Sequence, residues 1–101
     1  MNYLHLKNLW LADGTTAPLR KSELLISCEN GKICATDPAQ IGSAAGKVID
    51  LGGCVASPGF IDVHGHSDLS MASHPQAYGR VSQGVTCEIA GNCVLSAFPL
   101  T

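Results

Sequence analysis

The sequence predicts an α/β chain with a β-rich N-terminal part. Three observations carry this. Apolar runs between residues 3 and 36 are short and are broken by Asp-Gly and Asn-Gly pairs, as in small β-sheets. Residues 60–90 read strand, helix, strand, an order that normally sets its two strands parallel. Between these halves Ser57-Pro58-Gly59 punctuates the chain. The expected units are therefore a β-module over residues 1–56 and the start of an α/β domain over 57–101.

Residues 3–11, YLHLKNLWL, alternate imperfectly and predict a strand that stops at the turn-forming Asp13-Gly14. Residues 23–28 (ELLISC) and 32–36 (KICAT) flank Glu29-Asn30-Gly31. Asn-Gly between apolar runs predicts a β-hairpin whose two central residues both take positive φ. Asp37 to Gly46 follows neither the helical nor the strand period and reads as an exposed loop. Val48-Ile49-Asp50-Leu51 resumes a strand, Gly52-Gly53 turns, and Cys54-Val55-Ala56 adds a short strand. The module is expected to be antiparallel. Beyond it, Phe60 to His66 predicts a strand buried by Phe60 and Ile61. Pro75 suits the first turn of a helix over 75–83, which Gly84 ends in a left-handed conformation, and Val85 to Ala90 predicts the second strand. No internal repeat or low-complexity tract is present.

Of the 101 residues 46% are hydrophobic and 14% charged, and six Lys plus Arg against eight Asp plus Glu leave a net charge of −2. This is a globular composition. No apolar run reaches the roughly 18–20 residues of a membrane span, and MNYLHLKNLW lacks the order of a secretory signal. A cytoplasmic protein without a membrane partner is expected. Residues 51–101 hold one cation, Arg80, against Asp62, Asp68 and Glu88, so no basic surface invites nucleic acid. The five cysteines are odd in number and form no C-x-x-C pair. They read as reduced thiols, four of them, Cys87 included, buried as small apolar residues.

His64 and His66 stand one glycine apart at the end of a predicted strand. Residues i and i+2 of a strand project from one face about 6.5–7 Å apart, so both imidazoles can converge on one metal ion, and Asp62 shares that face. Carboxyl ends of parallel strands are where α/β folds gather functional groups. Histidine pairs also occur as surface or hydrogen-bonded residues, so spacing alone leaves both readings open. Asp68 either caps a turn or bonds an imidazole and fixes its tautomer. Cys93 follows Gly91-Asn92 just beyond the second predicted strand, where a cation would bind it as thiolate. His5 reads as structural, His74 as a helix-start residue, and Cys28, Cys34 and Cys54 have no histidine at ligand spacing. No nucleophile elbow and no phosphate-binding loop occurs, and a Cys93–His66 dyad would have no orienting partner.

Residues 48–66, VIDLGGCVASPGFIDVHGH, resemble the barrel entry of the amidohydrolase superfamily, where a strand ending in H-x-H follows a Pro-Gly turn. HGHSDL at 64–69, SQGVT at 82–86 and GNC at 91–93 resemble its N-acyl-D-amino-acid deacylase (D-aminoacylase) branch. DGTTAP at 13–18 and NGK at 30–32 extend the likeness upstream. The resemblance implies part of a composite β-sandwich followed by the first β-α-β of a metal-dependent (β/α)8 barrel, incomplete in this chain. It implies zinc, one or two ions, with His64 and His66 at one metal position and Cys93 a further ligand. Asp62, Asp68 and Asn92 become candidates for supporting the ligands or touching substrate. The implied reaction is hydrolysis of the amide of an N-acyl-D-amino acid by metal-activated water. Two departures stand out: Val94 where the family carries glycine after GNC, and Phe98 where it carries a small residue.

Further histidines and the general acid and base aspartate of that family come from later strands, so no catalytic residue is expected within these 101 residues. The isolated chain is expected to be inactive and to associate with itself or with a complementing remainder of the barrel. The competing readings are a non-catalytic zinc-binding module and a purely structural product.

Overall fold

A computed structural model of the chain describes residues 2–42, 46–94 and 96. The chain divides into two compact units, Met1–Pro58 and Gly59–Thr101.

The first unit is one five-stranded sheet. Strand β1 (Tyr3–Leu11) is its centre, flanked by β2 (Arg20–Ser27), with β3 (Ile33–Ala35) beyond β2. The other edge of β1 carries β4 (Gly46–Asp50) and then β5 (Val55–Ala56). The β1–β2 and β2–β3 pairs are antiparallel, whereas β4 and β5 run parallel to β1. The sheet is thus mixed, not antiparallel as expected. A local pattern reveals hairpins, but the parallel placement of β4 beside β1 is a crossover in the strand order that no short motif marks.

Leu9, Leu11 and Leu24 form the core, with Leu6, Leu51 and Ala56 packed against them. These leucines recur at the period of 2 that puts one face of β1 and β2 inward. A bulge between Leu6 and Leu9, with Asn8 at φ 56°, shifts that register. His5 is only 3% exposed and its Nε2 lies 2.6 Å from Glu23 Oε2, a structural role as the sequence suggested.

The Asn-Gly signal does mark a hairpin, but Gly31 alone takes positive φ. The loop is four residues long, closed by Ser27 N–H to the Lys32 carbonyl. Only its last residue needs the left-handed region, so glycine suffices there and Asn30 is left to accept the Lys32 N–H. The expected loop at 37–46 contains a helical turn, α1 (Pro38–Ile41). Asp37 caps it through Ala39 N–H, Pro38 opens it, and Ile41 is buried. Four residues are too few for a helical period to register.

In the second unit β6 (Phe60–Asp62) and β7 (Val85–Glu88) pair in parallel, as the strand-helix-strand order predicts. Both strands are shorter than expected, and His64 and His66 lie beyond β6 in a turn. The helix between them, α2, is confined to Tyr78–Val81. Ala77 sits at φ 45°, ψ 39°, which separates Pro75 from the helical residues. Gly84 closes the connection, its N–H bonded to the Val81 carbonyl.

Phe60 and Ile61 are 60% and 62% exposed, contrary to the expected burial, because within this unit a two-stranded sheet has no second layer to cover it. All five cysteines are exposed as well, Cys87 included. Among the described residues no helix is long and apolar enough to cross a membrane.

Candidate metal centre

Asp62 ends β6 by turning on itself: its Oδ1 accepts the His64 N–H at 3.1 Å. Pairing with the β7 side continues past that point, with Ile89 N–H on the Asp62 carbonyl and Gly65 N–H on the Ile89 carbonyl. The chain then enters a 3-10 turn at Ser67–Leu69. His64 and His66 leave this junction with ring centroids 5.5 Å apart and planes inclined at 66°.

The second contributor is the loop after β7. Asn92 Nδ2 donates to the Ile89 carbonyl at 3.0 Å and to the Val63 carbonyl at 3.3 Å, tying this loop to the end of β6. Cys93 follows at φ 58°, ψ 30°, a left-handed conformation that delivers its Sγ to 2.9 Å from His64 Nε2. Val94 is also left-handed, at φ 57°. For a β-branched residue this conformation is strained, and such strain concentrates at functional positions.

One ligand atom from each of His64, His66 and Cys93 lies within 4.8 Å of the other two. Strand alternation is not what brings the histidines together; the turn after Asp62 does so. Asp62 points to Arg80 instead, its Oδ2 2.5 Å from Nη1. Asp68 Oδ2 accepts from Ser96 Oγ at 3.2 Å. His74 bonds Ser73 Oγ and lines a groove of about 490 Å³ beside α2 with Met71 and Tyr78, outside the cluster. Phe98 lies outside the described residues.

Two residues at the site carried no motif signal: Arg80 and Glu88. Glu88 Oε1 accepts the Ser67 N–H at 2.9 Å, Oε2 accepts the Ser67 hydroxyl at 2.7 Å, and Arg80 Nε lies 3.1 Å from Oε2. The Ser67 hydroxyl and N–H, joined by Arg80, hold the Glu88 carboxyl below the usual carboxylate range against the opposing effect of burial. A lone cation among three acids in residues 51–101 was the one available hint.

Residues 47–97, half of the chain, match the amidohydrolase family. The chain belongs to that family. It is 37% identical over 90 residues to the N-acyl-D-glutamate deacylase of Alcaligenes xylosoxydans xylosoxydans, covering 89% of this chain and 18% of the relative. The crystal structure of N-acyl-D-glutamate deacylase from Bordetella bronchiseptica, complexed with zinc and a phosphonate inhibitor, superposes with a TM-score of 0.82 at 37% identity. It covers 95% of this chain and 20% of that one. A D-aminoacylase structure with a binuclear metal centre gives 0.85 at 35% identity, covering 96% and 20%. This amidohydrolase chain therefore spans about a fifth of the length of the relatives it matches and aligns with their D-aminoacylase branch.

The donor set fits the zinc such relatives hold. Tetrahedral bonds of about 2.0–2.1 Å to imidazole and about 2.3 Å to thiolate put ligand atoms roughly 3.3–3.6 Å apart. The observed cluster, within 4.8 Å throughout, is close to that spacing. His66 Nδ1 is buried and has no hydrogen-bond partner among the described residues, an arrangement that disfavours leaving the ring idle.

Proposed function

We propose that this chain is the N-terminal segment of a zinc-dependent amidohydrolase that cleaves the amide bond of N-acyl-D-amino acids. In this reading residues 1–56 belong to a composite β-sandwich and residues 57–101 supply strand 1, helix 1 and strand 2 of a (β/α)8 barrel. The observation that carries it is the convergence of His64, His66 and Cys93 beyond the carboxyl ends of two parallel strands, in a chain similar to zinc-containing N-acyl-D-amino-acid deacylases.

His64 and His66 hold one metal position and Cys93 binds zinc as thiolate. Zinc at such a site supplies polarisation of the acyl carbonyl and a water of lowered pKa. The residues of this chain fix the donors: Asn92 ties the Cys93 loop to β6, and Asp62 holds the His64 backbone. Asp62 and Glu88 are committed to Arg80 and Asp68 accepts from Ser96, which leaves none of them poised as general acid and base. The aspartate for that task and the remaining histidine ligands come from later strands of the complete enzyme. The reduced thiols suit a cytoplasmic setting.

The purified chain, incubated with N-acyl-D-amino acids and zinc, is expected to show no hydrolysis above buffer. The same assay on a chain extended through the full barrel is expected to show zinc-dependent release of free D-amino acid, abolished by His64→Ala. An extended chain that is inert toward these substrates, or equally active without zinc, contradicts the proposal.

A further inference from the structure

Among the described residues no side chain outside the cluster hydrogen-bonds either imidazole of the H-x-H pair. His66 Nδ1 has no hydrogen-bond partner among them, and His64 Nε2 meets only the Cys93 thiol. Their directions are consequently set by the backbone that carries them. That backbone is gripped at both ends by carboxylates, Asp62 on the His64 N–H and Glu88 on the Ser67 N–H. Arg80 joins the two grips, 2.5 Å from Asp62 and 3.1 Å from Glu88. To reach Ser67, Glu88 passes over residue 65: a Cβ there would lie 1.8 Å from Oε1 and 2.1 Å from Cδ. Gly65 is buried beneath it.

We propose that Arg80 and Glu88 are positioning residues that aim the two histidines at the metal, and that residue 65 is glycine to let the Glu88 side chain through. This rests on the metal-site reading. A carboxylate accepting two hydrogen bonds from one residue and an ion pair from another has little freedom. Partners that hydrogen-bond metal ligands directly contribute about 10- to 100-fold in affinity, and this grip on the backbone that carries the ligands is expected to act on up to that scale.

The test is titration of the full 101-residue chain with cobalt(II), read by absorption in the thiolate charge-transfer and d–d bands. Glu88→Gln and Arg80→Ala are expected to weaken cobalt binding, by up to about 100-fold, and to shift the d–d bands. Arg80→Lys, which keeps the charge but reaches only one carboxylate, falls between wild type and Arg80→Ala, and decides the matter should Glu88→Gln not fold. Gly65→Ala weakens binding in the wild-type background but by less than about twofold in a Glu88→Ala background, where the obstacle is gone.

Wild-type affinity and spectrum in Glu88→Gln and Arg80→Ala would overturn the positioning role and leave the metal site standing. An equal cost of Gly65→Ala with and without Glu88 would overturn the account of residue 65. A wild-type chain that binds no cobalt, or binds it undiminished in His64→Ala, would overturn the metal-site reading and this inference with it.

Discussion

Cys93 Sγ lies 2.9 Å from His64 Nε2 although the two residues are 29 positions apart and on different loops. The contact exists because β6 and β7 are parallel, so both loops leave the same end of the sheet. Its consequence can be read on the thiols. All five cysteines are exposed and should react with a disulfide reagent in the metal-free chain. Stoichiometric zinc is expected to slow one of the five at least about tenfold, since a coordinated thiolate is withdrawn from attack. Peptide mapping should identify it as Cys93, and His64→Ala should abolish the protection.

Val94 provides a test of strain. A β-branched side chain at φ 57° costs on the order of 1–2 kcal/mol relative to glycine. Val94→Gly should therefore raise stability by about 1 kcal/mol in urea unfolding, once the added freedom of the unfolded chain is subtracted. The side chain is fully exposed, so no packing is lost. A destabilised Val94→Gly would show that the conformation is not strained.

The β-module should weaken in acid. The Thr15 hydroxyl, then the Arg20 guanidinium and the Thr15 N–H, hold the Asp13 carboxyl well below its ordinary value of 3.8. The Gly52 N–H and the Asn8 amide lower Asp50 likewise. A carboxyl whose folded pKa is depressed stabilises above its unfolded pKa and loses that contribution as pH falls through the folded value. Urea midpoints should thus decline from roughly pH 4 toward pH 2, with a shallower decline in Asp13→Asn. Identical slopes in the two chains would remove Asp13 from the account.

Phe60, Ile61, Val63 and Ile89 are each more than half exposed on or beside the two-stranded sheet. Apolar area of this kind is covered by association. Sedimentation at tens of micromolar is expected to show self-association that Ile61→Glu reduces. A strictly monomeric wild-type chain across that range contradicts the expectation.

The strands were largely legible because turn residues are local: Asp13, Asn30 and Gly31 mark the places where the chain reverses, and Gly52 and Gly53 the turn between β4 and β5, which keep one direction. What escaped was set by distant partners. The parallel placement of β4 beside β1 depends on a crossover, and the reach of β6 depends on Asp62 bonding its own chain two residues on. The three candidate ligands were legible from motif and order, yet the reason they meet was not. Glu88 and Arg80 look like ordinary surface charges until their contacts to Ser67 and Asp62 are seen. Burial was overestimated at Phe60, Ile61 and Cys87 because composition says what tends to be inside, not whether a covering layer is present.

The most direct measurement is zinc K-edge X-ray absorption on the chain loaded with one equivalent of zinc. A first coordination sphere with two nitrogen scatterers at about 2.0–2.1 Å and one sulfur at about 2.3 Å is expected, the sulfur vanishing in Cys93→Ser. A wild-type sphere of nitrogen and oxygen alone would contradict the shared site of His64, His66 and Cys93.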